Sequence, residues 1–442
     1  MSGTKLTRRR FLSQTTKTAA GAIIAPNIIT SSALGDASTP PASERIAVGH
    51  IGVGGQGGGL LRNFLGLPDC QVIGISDCFK DRRDAGVQLA NDAYADRNGS
   101  GSWNGCEAYA DFRDLLARDD LDAVVVATPD HWHVPIGLAA ARAGKDMYIE
   151  KPLGLAIKWN KALRKAVKRH GRVFQYGTQQ RGSRRCAFGC ELVVNGRIGE
   201  IKEIHVESPC GFGPGGSAEP IPVPEGFDYA MWLGPAPLSP YTRDRCTNDG
   251  AWFVYDNSVG FLGGWGSHPL DLMHWVYPQV PVEYEGTGNI PKEGLFDVVD
   301  TWDVKGRFAN GVPFTFKAFN QDETFPDTDK TKFVGEEGWV AVSRAVLDAE
   351  PKSLLTSLIK PDEIHLYREG GHYEDFLNAI KTRSNAESPI DSAVQTDFIS
   401  HLSDIAIRTG RRITWDPEKE EIVDDEIATR MMDRPMRSPW TL

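Results

Sequence analysis

From Arg45 onward, short apolar runs alternate with helix-like segments. Arg45–Ile51 and Gln71–Asp77 read as strands, as do Leu121–Ala127 and Asp146–Glu150. Between them, Leu60–Leu65 opens a helix, Phe112–Leu116 is helical, and Val134–Ala143 is a helix of small and apolar residues. Val- and Ile-rich strands alternating with helices predict a parallel sheet covered on both faces. Ligands of such sheets bind beyond the carboxyl ends of the strands. Here those ends carry the segments Thr128–His133 and Glu150–Gly154.

Near residue 198 the period changes. Ile201–Glu207 alternates as a half-buried strand. Residues 208–226, rich in Gly and Pro, predict a long loop. Thr301–Phe308 and Val312–Lys317 flank an Asn310-Gly311 hairpin signal, and Phe333–Val342 repeats the theme with another turn. The strands of this half are expected to run antiparallel. Residues 372–410 return to helix, with Tyr373, Phe376, Leu377 and Ile380 on one face. Residues 45–175 are therefore assigned to a dinucleotide-binding domain, 176–370 to a sheet domain for substrate and oligomer contacts, and 371–442 to returning helices and a C-terminal tail.

The first 44 residues read differently. Arg8-Arg9-Arg10-Phe11-Leu12 precedes a weakly apolar stretch at 19–25 and small residues at 31–33, the order of an export signal. The paired arginines resemble a twin-arginine signal, which implies a periplasmic or otherwise exported protein. Residues 1–35 are assigned to the signal and 36–44 to a linker. No later run is long and apolar enough for a membrane span, so no stable membrane insertion is expected once the signal is removed. A formal charge of −10 over 442 residues argues against nucleic acid as a partner. The seven cysteines are scattered, with no C-x-x-C and no histidine cluster, so they are expected to be mostly buried thiols and no metal site is expected.

The first strand runs directly into Gly52-Val53-Gly54-Gly55-Gln56-Gly57, and a helix follows. In a strand–turn–helix context, G-x-G-x-x-G is a dinucleotide fingerprint. Gly52 makes the tight turn, Gly54 lets the backbone approach a pyrophosphate, and Gly57 lets the helix pack on the strand. Asp77, twenty residues after Gly57, ends the second strand. A carboxylate there accepts ribose hydroxyls and repels a 2′-phosphate, which favours NAD over NADP.

With Thr128-Pro129-Asp130-His131-Trp132-His133, Glu150-Lys151-Pro152 and Gly263–Asp271, this turn makes the chain resemble the Gfo/Idh/MocA oxidoreductases, in their exported bacterial branch. The resemblance implies a Rossmann-like, doubly wound parallel-sheet domain followed by an α+β domain with an open-faced, mostly antiparallel sheet. It also implies an active site between the two and a sugar, polyol or related alcohol as substrate. By position, Lys151 matches the family's catalytic lysine and His268 its histidine. An ammonium stabilises the developing alkoxide, and an imidazole takes and returns the hydroxyl proton. Thr128, His131, His133, Glu150 and Pro152 are assigned to the cofactor side, and Gln179, Arg181, Tyr255 and Asp271 to the substrate side. Trp252 is a second aromatic that could line a carbohydrate site.

The sequence departs from the family at one point. Dehydrogenases of the family carry an aspartate four residues before the histidine, where this chain has Gly264. Either another carboxylate substitutes, with Asp256 the candidate, or the reaction differs from simple alcohol oxidation. Three functions follow: an NAD(P)-dependent oxidoreductase, a glycosidase or lyase with retained and redox-cycled NAD, and a cofactor-bound sensor without catalysis. A homo-oligomer is expected.

Overall fold

Strands β1 (Ile46–Ile51), β2 (Cys70–Ser76), β3 (Glu107–Tyr109), β4 (Ala123–Val126), β5 (Asp146–Glu150) and β6 (Phe174–Gly177) form a six-stranded sheet in the order 3-2-1-4-5-6, parallel throughout. The order reverses beside β1, so the carboxyl ends of β1 and β4 open a crevice. The computed structural model describes residues 40–98, 101–319 and 329–442; the expected signal and most of the expected linker lie outside them. Residues from Ile46 onward form one compact unit, separate from the unit that ends at Arg45.

Every residue of β4 and β5 is buried, as the unbroken apolar runs require. The helix after β4 spans Asp130–Arg142 and so starts four residues before the expected Val134. Pro129 precedes its first turn, and Pro135 is tolerated near its start. His131 and His133 are consequently helical rather than in a loop.

A second sheet holds β7 (Ile201–Pro209), β8 (Glu283–Asn289), β9 (Thr301–Arg307), β10 (Pro313–Phe319), β11 (Lys330–Gly335), β12 (Trp339–Val342), β13 (Leu347–Glu350), β14 (Ile413–Asp416) and β15 (Glu421–Ile422). The strand order is 13-12-11-7-10-9-8-14-15, antiparallel except for the β7–β10 pair. β14 and β15 extend the sheet where only helices and a tail were expected, and the buried Trp415 holds that edge to the core. One face, with Ile204, Val206, Val304, Phe314 and Phe316 buried, packs on the helices Ser267–Val276 and Ile390–Thr409. The other face is polar and carries the cross-strand ion pairs Lys317–Asp303 and Lys330–Glu207. Among the described residues, no helix is long and apolar enough to cross a membrane. Cys70, Cys106, Cys186, Cys190 and Cys246 are buried thiols.

Candidate functional site

A cleft of about 1070 Å³, including its open mouth, starts at the carboxyl ends of β1 and β2 and runs past β4 to β5. Gly52, Gly54, Gly57, Asp77, Thr128, His133, Glu150 and Lys151 all line it. The glycines do so for steric reasons. Gly52 has φ +86°, and a Cβ there would lie 2.6 Å from the Ala127 carbonyl oxygen. A Cβ on Gly57 would lie 2.2 Å from the Gly52 oxygen, whereas one on Gly54 would meet only Arg82 at 3.4 Å. The turn is thus closed behind and open towards the cleft. The helix Gly55–Gly66 starts there, and its first N–H groups lack intrahelical acceptors.

Asp77 accepts the Val53 N–H on one oxygen and the Phe79 N–H on the other, each at 2.9 Å. Burial raises its pKa, opposed by those two bonds and by Arg82 and Arg83. Each oxygen keeps a lone pair for a ribose hydroxyl. The Thr128 hydroxyl, also in the lining, is buried without a partner. An open glycine cradle, a helix N-terminus, a strand-end carboxylate and an orphan hydroxyl together fit a dinucleotide.

A loop from the second half roofs this groove. Phe227 stacks on Phe79 at 3.9 Å with 7° between the ring planes. Lys80 N–H donates to the Gly226 oxygen at 2.9 Å, and Asp228 N–H to the Cys78 oxygen at 3.0 Å. Met231, Trp232, Cys246, Thr247, Ala251 and Trp252 complete the lining from that side.

At the far end, Lys151 Nζ sits 4.5 Å from the centroid of the Trp252 ring, a cation–π arrangement. The space for that ring comes from Gly264, where a Cβ would lie 3.2 Å from Trp252 Cζ3. An indole face therefore occupies the ground that the expected carboxylate would need. Burial lowers the Lys151 pKa; Glu150 and Asp130 oppose the shift and Arg344 adds to it. The loop bearing Lys151 is pinned from the returning helix, where Asp397 accepts Leu153 N–H at 2.7 Å and Asn160 Nδ2 at 3.2 Å.

His268 lies beside Trp265, at 5.7 Å between ring centroids, and Lys151 Nζ is 6.0 Å from the same indole. Its Nδ1 donates to the Thr178 carbonyl at 2.8 Å, which leaves Nε2 as the basic nitrogen. Burial, then Lys151 and Arg344, hold its pKa well below the usual value. His268 is only 3% exposed and stands behind the cleft lining.

Several expected contacts fall elsewhere. Arg181 and Asp271 form a buried ion pair, with Asp271 also accepting the Thr178 hydroxyl at 2.8 Å, so both are consumed inside the core and neither faces the cleft. They fix the helix that carries His268. Tyr255 is packed between the guanidinium groups of Arg408 at 3.5 Å and Arg434 at 3.7 Å, outside the lining. Gln179 donates to Glu150 Oε1 and to the Tyr148 hydroxyl, both at 2.7 Å, so it buttresses Glu150. His131 donates to the Trp232 oxygen at 2.8 Å and anchors the roof. His133 points its two nitrogens at the Pro152 oxygen (2.6 Å) and the Thr128 oxygen (2.8 Å). Burial, with a smaller push from Lys151, pulls its pKa to about 4 against the two carbonyls, and the neutral ring has one N–H to donate to either of them. Pro152 contributes that carbonyl and stands outside the lining. Asp256 also lies outside the lining, so it does not replace the missing carboxylate.

The sequence reading missed Asp130. It lines the cleft, and its Oδ2 accepts the Ser258 hydroxyl at 2.7 Å. Its signal was present, since Asp130 stands inside the Thr128–His133 motif. Asp397 gave no local signal, because it reaches Leu153 across 244 positions of sequence.

Comparison with known proteins places both halves of the chain in one family. Residues 46–178 match the family model of the oxidoreductase family NAD-binding Rossmann fold, and residues 212–442 match its C-terminal alpha/beta domain. A glycosyl hydrolase family 109 protein of Shewanella pealeana is 30% identical over 164 residues, 35% of each chain. One from Saccharopolyspora erythraea is 35% identical over 116 residues, 26% of this chain and 24% of the relative. The chain thus matches about a third or less of the length of these curated relatives. Among solved structures, the WlbA dehydrogenase of Bordetella pertussis, in complex with NADH and UDP-GlcNAcA, superposes with TM-score 0.61 at 18% identity, over 84% of this chain and 99% of that one. The myo-inositol 2-dehydrogenase of Lactobacillus plantarum gives 0.57 at 16% identity over 84% and 99%. Likeness at this identity concerns the fold, and with the two family matches the conclusion is direct: the chain belongs to the Gfo/Idh/MocA oxidoreductase family.

Proposed function

We propose that the protein is an NAD-dependent oxidoreductase acting on a hydroxyl of a sugar, polyol or glycoside. The observation that carries this reading is Lys151, poised on the Trp252 face where the dinucleotide groove ends. Asp77 at the ribose end supports NAD rather than NADP. The cofactor, when bound, supplies a nicotinamide that takes hydride from the carbinol carbon. Lys151 stabilises the oxygen as its proton leaves, and burial, by lowering its pKa, eases release of its own proton. His268, with Nδ1 committed to Thr178 and its ring against Trp265, backs the Lys151 end from behind the lining.

The roofed groove favours a second reading, in which the nucleotide is kept and returned to its starting oxidation state. The net reaction would then be glycoside cleavage or elimination. The family 109 glycosyl hydrolase relatives point the same way. A non-catalytic sensor has no use for Lys151 at this position. Export by the twin-arginine route, proposed from Arg8-Arg9-Arg10-Phe11-Leu12, would carry the protein out folded and loaded. The partner is a small carbohydrate, and a homo-oligomer is proposed.

The test uses the protein as purified. Denaturation releases the bound nucleotide for identification, and the native protein is then given polyols, free sugars and aryl glycosides. Lasting NADH with added NAD identifies a dehydrogenase. Glycoside cleavage without net NADH identifies the cycling reaction. Absence of both with nucleotide bound contradicts the proposal.

A further inference from the structure

We infer that Asp130 is the carboxylate that acts on Lys151 in this chain, in place of the one absent at position 264. The inference rests on the proposed role of Lys151 and adds a positioning residue to it.

Three carboxylates line the cleft among the described residues: Asp77, Asp130 and Glu150. Asp77 holds the Val53 and Phe79 amides at the ribose end. Glu150 accepts Gln56 Nε2 at 3.0 Å and Gln179 Nε2 at 2.7 Å on one oxygen, and the Lys151 N–H at 3.2 Å on the other. It is therefore committed to holding β5 against the glycine turn and β6. Asp130 is built differently. The Ser258 hydroxyl that donates to it is itself the acceptor of the Gly260 N–H at 3.0 Å, so its proton points at Asp130. The Val259 N–H supports the same carboxylate. Asp130 thus sits on the first turn of its helix, clamped from the Ser258–Gly260 turn, and opens into the same cleft as Lys151.

The Trp252 ring lies over Lys151, and the helix whose first turn carries Asp130 is tied to the Lys151 loop by the His133–Pro152 contact of 2.6 Å. The Trp252 face stabilises the Lys151 ammonium without taking a proton. Asp130 supplies the negative charge that Gly264 cannot. When a substrate hydroxyl gives its proton to the Lys151 amine, the O–H bond breaks as the N–H bond forms, and the resulting ammonium gains the Trp252 face and the Asp130 charge within the same cleft. Burial raises the Asp130 pKa to about 7, with Ser258 and Lys151 opposing the shift. The other charged or titratable groups acting on Lys151 are Glu150 and Arg344, with His133 and His268 nearby.

The test reads Lys151 directly, without turnover. The protein is labelled with an amine-reactive anhydride across pH, and modification of the Lys151 peptide is followed by mass spectrometry. Asp130→Asn should lower the labelling midpoint by about 0.5–1 pH unit, with melting temperature and bound nucleotide kept. Asp256→Asn should leave the midpoint in place. If Asp130→Asn does not fold, Ser258→Ala serves instead and should shift the midpoint the same way by a smaller step. An unchanged midpoint in folded Asp130→Asn or Ser258→Ala overturns the inference, as does an equal shift in Asp256→Asn. Because no substrate is needed, a protein that proves inactive on carbohydrates would sink the proposed function and still decide this point.

Discussion

The two ends of the cleft are built in opposite ways. The nucleotide end comes from contiguous sequence: a strand, a glycine turn, a helix, and Asp77 at the tip of the next strand. Its shape is set by backbone, because a Cβ at Gly52 or Gly57 would strike a carbonyl. The reacting end is assembled from segments scattered along the chain. Lys151 follows β5, Asp130 opens a helix, Trp252 comes from the roof, and His268 backs them from a helix beneath the second sheet. None of these four side chains makes sense without distant partners. Local geometry suffices to bind a common cofactor, whereas reactivity needs long-range convergence.

Substitutions can break this contrast, and the largest effect should fall on the chemistry alone. Lys151→Ala should lower kcat by about 10²–10⁴-fold. Its bound nucleotide, assayed after denaturation, should be unchanged. At the other end, Gly57→Ala should cost roughly 3 kcal/mol or more of stability, since the clash is with backbone that has no room to move. Gly54→Ala should keep its melting temperature and lose nucleotide, because its Cβ would project into the groove. Equal behaviour of the two glycine variants would end the claim that only the cleft side of the turn is open.

Asp271→Asn sharpens the second half of the comparison. It leaves Arg181 buried without its charge partner, at a cost of about 3–5 kcal/mol. Denaturant unfolding should show the loss, and any folded fraction should retain nucleotide. The smallest effect belongs to Tyr255→Phe. Its hydroxyl meets Asp404 at 3.4 Å and no cleft residue, so kcat and KM should stay within about twofold while stability falls by at most about 1 kcal/mol.

These contrasts mark what the sequence could carry. The apolar runs predicted β1, β2, β4 and β5 to within two residues, because both faces of those strands are buried. The Asn310-Gly311 turn predicted the β9–β10 hairpin, with Gly311 at φ +92°. The glycine turn, Asp77 and Lys151 were legible for the same local reason. Arg181, Asp271 and Tyr255 looked like ligand contacts because polar and aromatic residues near a motif carry no mark of their partners. The partners of Arg181 and Tyr255 lie 90 or more positions away. Gly264 was legible as a departure, but its cause, the Trp252 ring, was not.

The central claim is that this cleft oxidises a carbohydrate hydroxyl at its Lys151 end. Its most direct test is single-turnover absorbance at 340 nm on nucleotide-loaded protein, wild type against Lys151→Ala, with a panel of polyols, sugars and glycosides. The account predicts a rise, lasting or transient, with at least one compound in the wild type and none in the variant. An equal rise in the variant, or none in a loaded wild type with any polyhydroxy compound, would contradict it.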